Sequence, residues 1–547
     1  MNILFVNSGD FTTNSLNHIA GFSAALSRLG HACAVAVPGR KETLSAVRDP
    51  QFIPVSYDDV LVGPSPFPDG RPADIVHAWT PREGVRRFVL AYQPRACARL
   101  VVHMEDNEQH LVESWTKCSI DDLRRKSDIE LGDALQPCLP HPVRYRNLLW
   151  LADGITVIID RLRDIVPPGV PVYLLTPGVD FALYQPQPAD QQLRSELGLR
   201  PEEKVIVYTG SLSFANESEI CDLYAAVRIL NQRGIPTRLL RTGFSSPEFQ
   251  KKFATTDKNI VIDLGFVEKS KLPALLALAD VLVQPGHTGV FNDYRFPSKL
   301  PEFLAMGKPV ILPATNIAML MEDGRDALIL RTGTPDEIAD ACVRIFTDPA
   351  LAERLGRAAL AFARRHFDLE LNTAGLAAFY ASVAGAPART NWSESTAAPT
   401  SDVPLLARQL YEEIVQLRDS PGPADLAALE RLASQADDLS LLCRQLEADA
   451  RKTPFGRWEE ILGGNQLGKT RAKLAEAEVQ LRTLVAKNVE HELRLQHLSA
   501  QLSQREGRIQ RMQQSFSWHS TAPLRWLRRR FLDRTAQSSR PTPPPKL

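Results

Sequence analysis

The sequence predicts an α/β protein of two Rossmann-like, doubly wound domains in series, followed by an α-helical coiled-coil tail. Three observations predict it. Short β-branched runs alternate with longer amphipathic stretches through the first 384 residues, the rhythm of parallel sheets covered by helices. The turn-rich passage Pro177-Gly178-Val179-Asp180, with Pro186 after it, divides that rhythm into two series. Toward the C-terminus apolar residues recur every seven positions, as in a coiled coil. The length of 547 residues is itself too much for one compact domain.

Residues 1–178 read as an N-terminal domain with strands at 3–6, 32–37, 75–77, 100–103, 155–158 and 172–175. Within it, 105–142 is polar, acidic in its middle and bounded by prolines, so a helical insertion is expected there. Residues 179–384 read as a second domain, with strands at 205–208, 237–240, 260–264, 281–284, 309–312 and 327–330. Helices fit at 217–232, 269–279 and 298–306, and several times between 335 and 384. Sheets of this kind bind ligands beyond the carboxyl ends of their strands, so two in series imply a cleft between them.

Residues 385–404 turn to Ala, Pro, Ser and Thr and read as a linker, after which a helical segment is expected over 405–466. Cutting the chain after about residue 400 is predicted to leave a soluble core. Over 467–514, Leu474, Leu481, Asn488, Leu495, Leu502 and Ile509 occupy one heptad position, and Ala477, Leu484, His491, Leu498, Arg505 and Met512 the position three further on. A coiled coil over 474–512 implies a second copy or a partner enzyme; the other reading is one long helix folded onto 405–452. Residues 515–534 carry five arginines and one aspartate among Phe516, Trp518, Trp526, Leu527 and Phe531, a composition suited to an anionic membrane surface or to a docked or solvated tail. The last residues of 515–547, rich in proline, are expected to be disordered.

Lys plus Arg (64) balances Asp plus Glu (64), which argues against nucleic-acid binding through overall charge. The seven cysteines form no Cys-x-x-Cys pair and read as reduced thiols, hence a cytoplasmic chain. The start lacks a basic, apolar leader, and no run of eighteen uncharged apolar residues occurs.

The densest chemical signal is Phe291-Asn-Asp-Tyr-Arg-Phe-Pro-Ser-Lys-Leu-Pro-Glu-Phe-Leu-Ala-Met-Gly-Lys-Pro-Val310. Pro297 and Ser298 would start a helix capped by Ser298, with Glu302 one turn in and Gly307 at its end. Backbone amides there, with Arg295 and Lys299, suit a pyrophosphate, and Glu302 suits a ribose diol. Helix physics alone equally allows Glu302 as a first-turn carboxylate and Lys299 as a surface lysine.

This passage, preceded by Ala279-Asp-Val-Leu-Val-Gln-Pro285, resembles the donor-site stretch of GT-B-fold glycosyltransferases of the retaining family-4 group, and the resemblance spans residues 1 to about 384. It implies a sugar transferred from a nucleotide sugar to a glycan or lipid-linked acceptor with retention of configuration, without metal or other cofactor, as in bacterial surface polysaccharide synthesis at the inner face of the membrane. It also implies that the domains close over the donor, with helices near 367–384 packing back on the first domain. Of the two family glutamates, separated by seven intervening residues, Glu302 matches the second, the ribose contact; the first falls on Tyr294, with Asp293 its acidic neighbour. The basic pair usual after the strand at 205–208 is absent, its loop beginning Thr209-Gly210-Ser211, so donor phosphate would rest on Gly210, Ser211, Arg241, Arg295, Ser298 and Lys299. In the first domain the resemblance implies Gly9 at the donor, Asp10, Glu105 and Asp106 at the acceptor, and His103 beside the transferred sugar. Catalytic roles thus fall on His103, Glu302 and Asp293. The missing glutamate and basic pair also support another reading, an inactive GT-B-like protein whose coiled coil scaffolds other transferases.

Overall fold

A computed structural model describes residues 1–47, 49–126, 128–131, 135–212, 216–245, 259–394, 402–419, 426–452 and 466–514. The basic segment 515–534 and the proline-rich end lie outside the described residues.

The first sheet is wholly parallel. Its strands are β1 (Asn2–Asn7), β2 (Ala32–Val37), β3 (Ile53–Ser56), β4 (Ile75–Trp79), β5 (Arg99–Met104), β6 (Gly154–Val157) and β7 (Val172–Leu174), in the order β3-β2-β1-β4-β5-β6-β7. β1, β4 and β5 are buried throughout or nearly so, which is why they read as continuous apolar runs. Sequence reasoning missed β3, because its run Ile53-Pro54-Val55-Ser56 contains a proline. Proline cannot donate to a ladder and is tolerated at a sheet edge, where β3 lies.

The second sheet consists of β8 (Lys204–Thr209), β9 (Thr237–Thr242), β10 (Val261–Asp263), β11 (Val281–Val283), β12 (Val310–Pro313) and β13 (Leu328–Leu330), also all parallel, in the order β10-β9-β8-β11-β12-β13. In each sheet the order reverses beside the first strand, between β1 and β4 and between β8 and β11, and ligands of doubly wound sheets bind beyond such a reversal.

Two crossings join the domains and are hydrogen-bonded to each other. Val179 N–H donates to Phe367 O over 2.9 Å, and the Thr176 hydroxyl donates to His366 O over 2.8 Å. From there the helix Leu369–Gly385, capped by Asp368, returns to the first domain. Its Leu369 meets Gly21, Phe379 stacks on Tyr173, and Tyr380 is fully buried beneath the first sheet.

Part of the expected linker is packed. Trp392 is buried, the Thr390 hydroxyl donates to Leu151 O over 3.0 Å, and Arg389 N–H donates to Asp153 over 2.8 Å. Beyond it, helices Asp402–Asp419, Leu426–Lys452 and Gln466–Gln514 form a bundle of one chain. Leu474, Ala477, Leu481 and Leu484 are buried in the same core as Leu406, Leu410 and Leu439. The first two heptads therefore serve the intramolecular reading, since their apolar stripe is consumed by helices 402–419 and 426–452. The bundle is keyed into the first domain by Asp402, which lies 3.5 Å from Arg86 and accepts from Asn147 over 3.1 Å, and by Asp438, which accepts from Arg146 over 2.8 Å. A cut near residue 400 removes these partners, so the globular part does not end there. No described helix is long and apolar enough to cross a membrane.

Candidate active site

The cleft is built from loops leaving the carboxyl ends of both sheets. In the first domain, Asn7 at the end of β1 donates to Gly9 O, Asp10 O and the Thr13 hydroxyl over 2.9, 3.1 and 2.9 Å, which pins the loop that starts helix Asn14–Arg28. A Cβ on Gly9 would meet Thr13 Cγ2 at 2.5 Å, so the glycine serves the tight turn. The Asp10 carboxylate accepts from Thr12 N–H and hydroxyl over 2.9 and 2.5 Å and pairs with Arg40 at 3.0 Å. Those Thr12 hydrogen bonds lower its pKa. Asp10 is thus a turn-holding carboxylate and not, as expected, a free acceptor-binding one.

His103 sits near the end of β5, 1% exposed, its ring centroid 3.9 Å from that of Trp79. Nδ1 is 2.8 Å from the Thr156 hydroxyl, whereas Nε2 has no hydrogen-bond partner among the described residues and lies 3.9 Å from Glu105 Oε1. Burial, then His77 and His18, hold its pKa well below the ordinary histidine range, so the ring is neutral. Glu105 accepts from Trp79 Nε1 over 2.7 Å and from the Ser15 hydroxyl over 2.6 Å, which aims both oxygens. Asp106 faces Arg82 at 3.5 Å and is also within electrostatic reach of Arg295 from the opposite domain.

In the second domain the short helix is Leu300–Ala305, two residues later than the sequence predicts. Ser298 is exposed and makes no cap; Lys299 stands at the cap position without a side-chain bond to the helix, because Pro301 places the helix start after Ser298. Lys299 Nζ instead reaches back to β8, 3.1 Å from the Tyr208 hydroxyl and 4.5 Å from its ring centre. Gly210 adopts φ +150, a conformation that favours glycine, and a Cβ there would stand 2.8 Å from Lys299 Nζ and displace the end of that side chain. Gly243 presses on it in turn, a Cβ there falling 2.4 Å from the Gly210 carbonyl carbon. Ser211 completes this cradle, its hydroxyl accepting from Phe244 N–H over 3.2 Å. Glu302 is half-buried; burial raises its pKa against the pull of Lys269 and Lys299.

Two expectations fail in this domain. Arg241 is fully buried in β9 and paired with Asp263 at 2.5 Å, with Ser245 and with Phe244 O at 2.9 Å. Its charge stiffens the loop instead of offering itself to a phosphate. Asp293 accepts from the Thr315 hydroxyl over 2.5 Å, so its carboxylate braces the loop between β11 and the short helix. Neighbouring Tyr294 turns toward the first domain, its hydroxyl 3.3 Å from Asp164 and its ring under Arg161 at 5.5 Å.

The halves meet in several places. The His110 and Phe291 rings are 5.6 Å apart across the cleft, and Arg295 stacks on Phe291 at 4.8 Å. His18 of helix Asn14–Arg28 faces Lys269, and burial followed by that charge lowers its pKa to about 4. His18 and Lys269 were missed by sequence reasoning, since neither lies in a motif; the one available signal was the position of His18 a turn into the helix after Gly9. Electrostatic contacts link the two sets of residues across the domains: Arg295 with Asp106, and Lys269 with both Glu302 and His18, the latter beside His103.

With this geometry, the chain is similar to known proteins. Its architecture is the GT-B fold, shared with Anabaena Alr3699/HepE in complex with UDP and glucose (TM-score 0.53, 18% identity, 70% of this chain and 100% of that one). Sucrose-phosphate synthase from Thermosynechococcus elongatus is comparable (TM-score 0.51, 16% identity, 70% and 99%). Residues 203–348 match the family described as Glycosyl transferases group 1. A D-inositol 3-phosphate glycosyltransferase of Segniliparus rotundus is 26% identical over 225 residues, 40% of this chain and 46% of that protein. An alpha-D-kanosaminyltransferase of Streptomyces kanamyceticus is 23% identical over 193 residues, 35% and 48%. The chain thus spans about half the length of the curated relatives it matches.

Proposed function

We propose that this protein is a glycosyltransferase that moves a sugar from a nucleotide-sugar donor to a hydroxyl of a glycan or lipid-linked acceptor, with retention of configuration and without a metal. One observation carries the reading: Lys299 and Glu302 of the second domain are linked to His103 of the first through Lys269 and His18, and Asp106 of the first lies within reach of Arg295, all at the carboxyl ends of the two sheets beside the loops that meet at Gly210 and Gly243. The match of residues 203–348 and the nucleotide-sugar chemistry of similar proteins support it. Lys299 and Arg295 would stabilise charge on the departing diphosphate, and Glu302 would accept from the ribose hydroxyls. His103 and Asp106 would position the sugar and the attacking hydroxyl. Assembly on a surface-polysaccharide pathway, with self-association through the part of helix Gln466–Gln514 that outruns its partner helices and membrane contact through 515–534, belongs to the same proposal.

The test is a panel of nucleotide sugars screened for thermal protection, then for transfer, with the anomeric configuration of the product read by NMR. We expect Glu302→Gln to weaken donor binding by about 1.5 to 3 kcal/mol, roughly ten- to a hundredfold, and Lys299→Ala to weaken it in the same direction. Absence of both protection and transfer across the panel sinks the enzyme reading. That outcome favours the inactive scaffold, which draws its support from the engagement of Asp293 by Thr315 and from the uncharged Gly210–Ser211 loop.

A further inference from the structure

Beneath the cleft, four buried side chains form one hydrogen-bonded line. Tyr380 Oη lies 2.6 Å from His77 Nδ1, His77 Nε2 lies 2.9 Å from Thr156 Oγ1, and Thr156 Oγ1 lies 2.8 Å from His103 Nδ1. None is more than 1% exposed. The line is imposed by register: His103 and Thr156 are direct partners between β5 and β6, His77 stands on neighbouring β4, and Tyr380 arrives on the helix returning from the second domain.

Proton counting gives the line a direction. Thr156 has one hydroxyl proton and a ring nitrogen on either side. If that proton goes to His77, then His77 must donate through Nδ1 to Tyr380, and the phenolic proton is left without an acceptor among the described residues. His103 would then donate through Nδ1 and turn a bare Nε2 lone pair toward the Glu105 carboxylate 3.9 Å away. If both rings donate to Thr156, its own proton is stranded. In the remaining arrangement Tyr380 donates to His77 Nδ1, His77 Nε2–H donates to Thr156, and Thr156 donates to His103 Nδ1. Every proton within the line then has an acceptor, and the one group left over is the His103 Nε2–H, which is unpaired among the described residues and lies 3.9 Å from Glu105 Oε1. Each of the other two arrangements strands a hydroxyl proton, at about 1 to 3 kcal/mol, and also leaves a bare Nε2 lone pair facing the Glu105 carboxylate, so the direction with the single unpaired Nε2–H prevails.

We propose that Tyr380, His77 and Thr156 are positioning residues that lock His103 as a neutral Nε2–H donor, so that His103 gives a hydrogen bond to an oxygen of the bound sugar and does not act as a base. The inference rests on the reading above, which puts the sugar beside His103. The relay also ties that tautomer to helix Leu369–Gly385, which follows the second crossing between the domains.

The decisive measurement is made on the full chain labelled with ¹⁵N-histidine, reading the tautomer of His103 from long-range proton–nitrogen couplings at pH 7, with the signal assigned by its loss in His103→Gln. Nε2–H supports the proposal; Nδ1–H or a cationic ring overturns it, and this needs no variant of the relay itself. Thr156→Val and Tyr380→Phe are then expected to change the tautomer populations of His103 and to lower kcat about tenfold or more with KM little changed, while Thr156→Ser restores both. Unchanged tautomers in folded Thr156→Val overturn the relay. If wild-type His103 is Nε2–H but His103→Ala transfers sugar normally, the relay stands and the functional reading fails; if His103→Ala abolishes transfer but the ring is Nδ1–H, the reverse holds.

Discussion

At the scale of single residues, the cleft spends stability on buried charge. Glu108 caps the floor of the crevice, fully buried, with neither carboxylate oxygen hydrogen-bonded among the described residues and Arg82 Nε 3.9 Å away. Burial raises its pKa to about 8 against the attraction of Arg82, with Asp106 and Glu105 adding to the rise. The folded state therefore keeps a proton that the unfolded chain releases from about pH 4.5 upward, and stability falls as pH rises from there toward 8. We expect Glu108→Gln to remove that slope and to be more stable than wild type at pH 8 by roughly 1 to 4 kcal/mol, measured by urea unfolding at pH 5, 6.5 and 8. A wild-type curve that rises across this window refutes the assignment. His18 and His103 are held neutral by the same desolvation, which makes both rings suited to hydrogen bonding with sugar hydroxyls.

At the scale of elements, the carboxyl ends of β8 and β9 are shaped by two glycines. Gly243 adopts φ +101 with the Gly210 backbone where its Cβ would be, whereas Gly30, at φ +84, has nothing within 4 Å. Both are left-handed, so alanine at either carries a backbone cost of about 1 to 2 kcal/mol. Only Gly243→Ala also pushes the Gly210–Ser211 loop away from Lys299. The expected result is modest destabilisation in Gly30→Ala and a larger one in Gly243→Ala, with donor binding lost in Gly243→Ala alone; unchanged donor affinity in folded Gly243→Ala would show that the cradle is not the phosphate site. The loop between β11 and the helix Leu300–Ala305 is braced in a different way, by polar bonds. His287 bridges Thr332 O at 2.9 Å and Asp222 at 2.8 Å, and Asn292 donates to Glu219. These bonds, like the Asp293–Thr315 contact, hold the segment that carries Phe291 and Arg295 against the first domain.

At the scale of the molecule, the C-terminal helices pack as part of the same body as the first domain. Asp402 and Asp438 reach into the first domain, and Gln445 donates to Lys126 O over 2.8 Å on the insertion whose first helix, Glu108–Thr116, borders the cleft. A chain ending near residue 400 loses these anchors and bares the apolar face of helix Arg144–Leu151, while one ending near residue 487 keeps the buried heptads Leu474 to Leu484. We expect the longer truncation to stay folded and bind donor and the shorter to melt at lower temperature or aggregate; calorimetry with light scattering decides. Helix Gln466–Gln514, 49 residues and about 73 Å long, outruns the 27-residue helix Leu426–Lys452. Self-association is therefore expected to depend on its distal half.

The sequence alone carried the two parallel sheets, because buried strands must read as apolar runs and crossover helices as amphipathic ones, and it marked the turn from loop to short helix that bears Lys299 and Glu302, since a Pro-rich loop before a short helix is a local signal. It could not decide which charges stay free. Arg241, Asp10 and Asp293 carry charge near the strand ends, yet each is engaged by a partner: Arg241 by Asp263, Asp10 by neighbouring Thr12 and by Arg40, and Asp293 by the Thr315 hydroxyl. Nor could heptad spacing tell a helix that pairs with another chain from one that folds onto its own, because both bury the same stripe. The meeting of side chains distant in sequence, His18 beside Lys269 and Tyr380 against His77, exists only once packing has brought them together and excluded water.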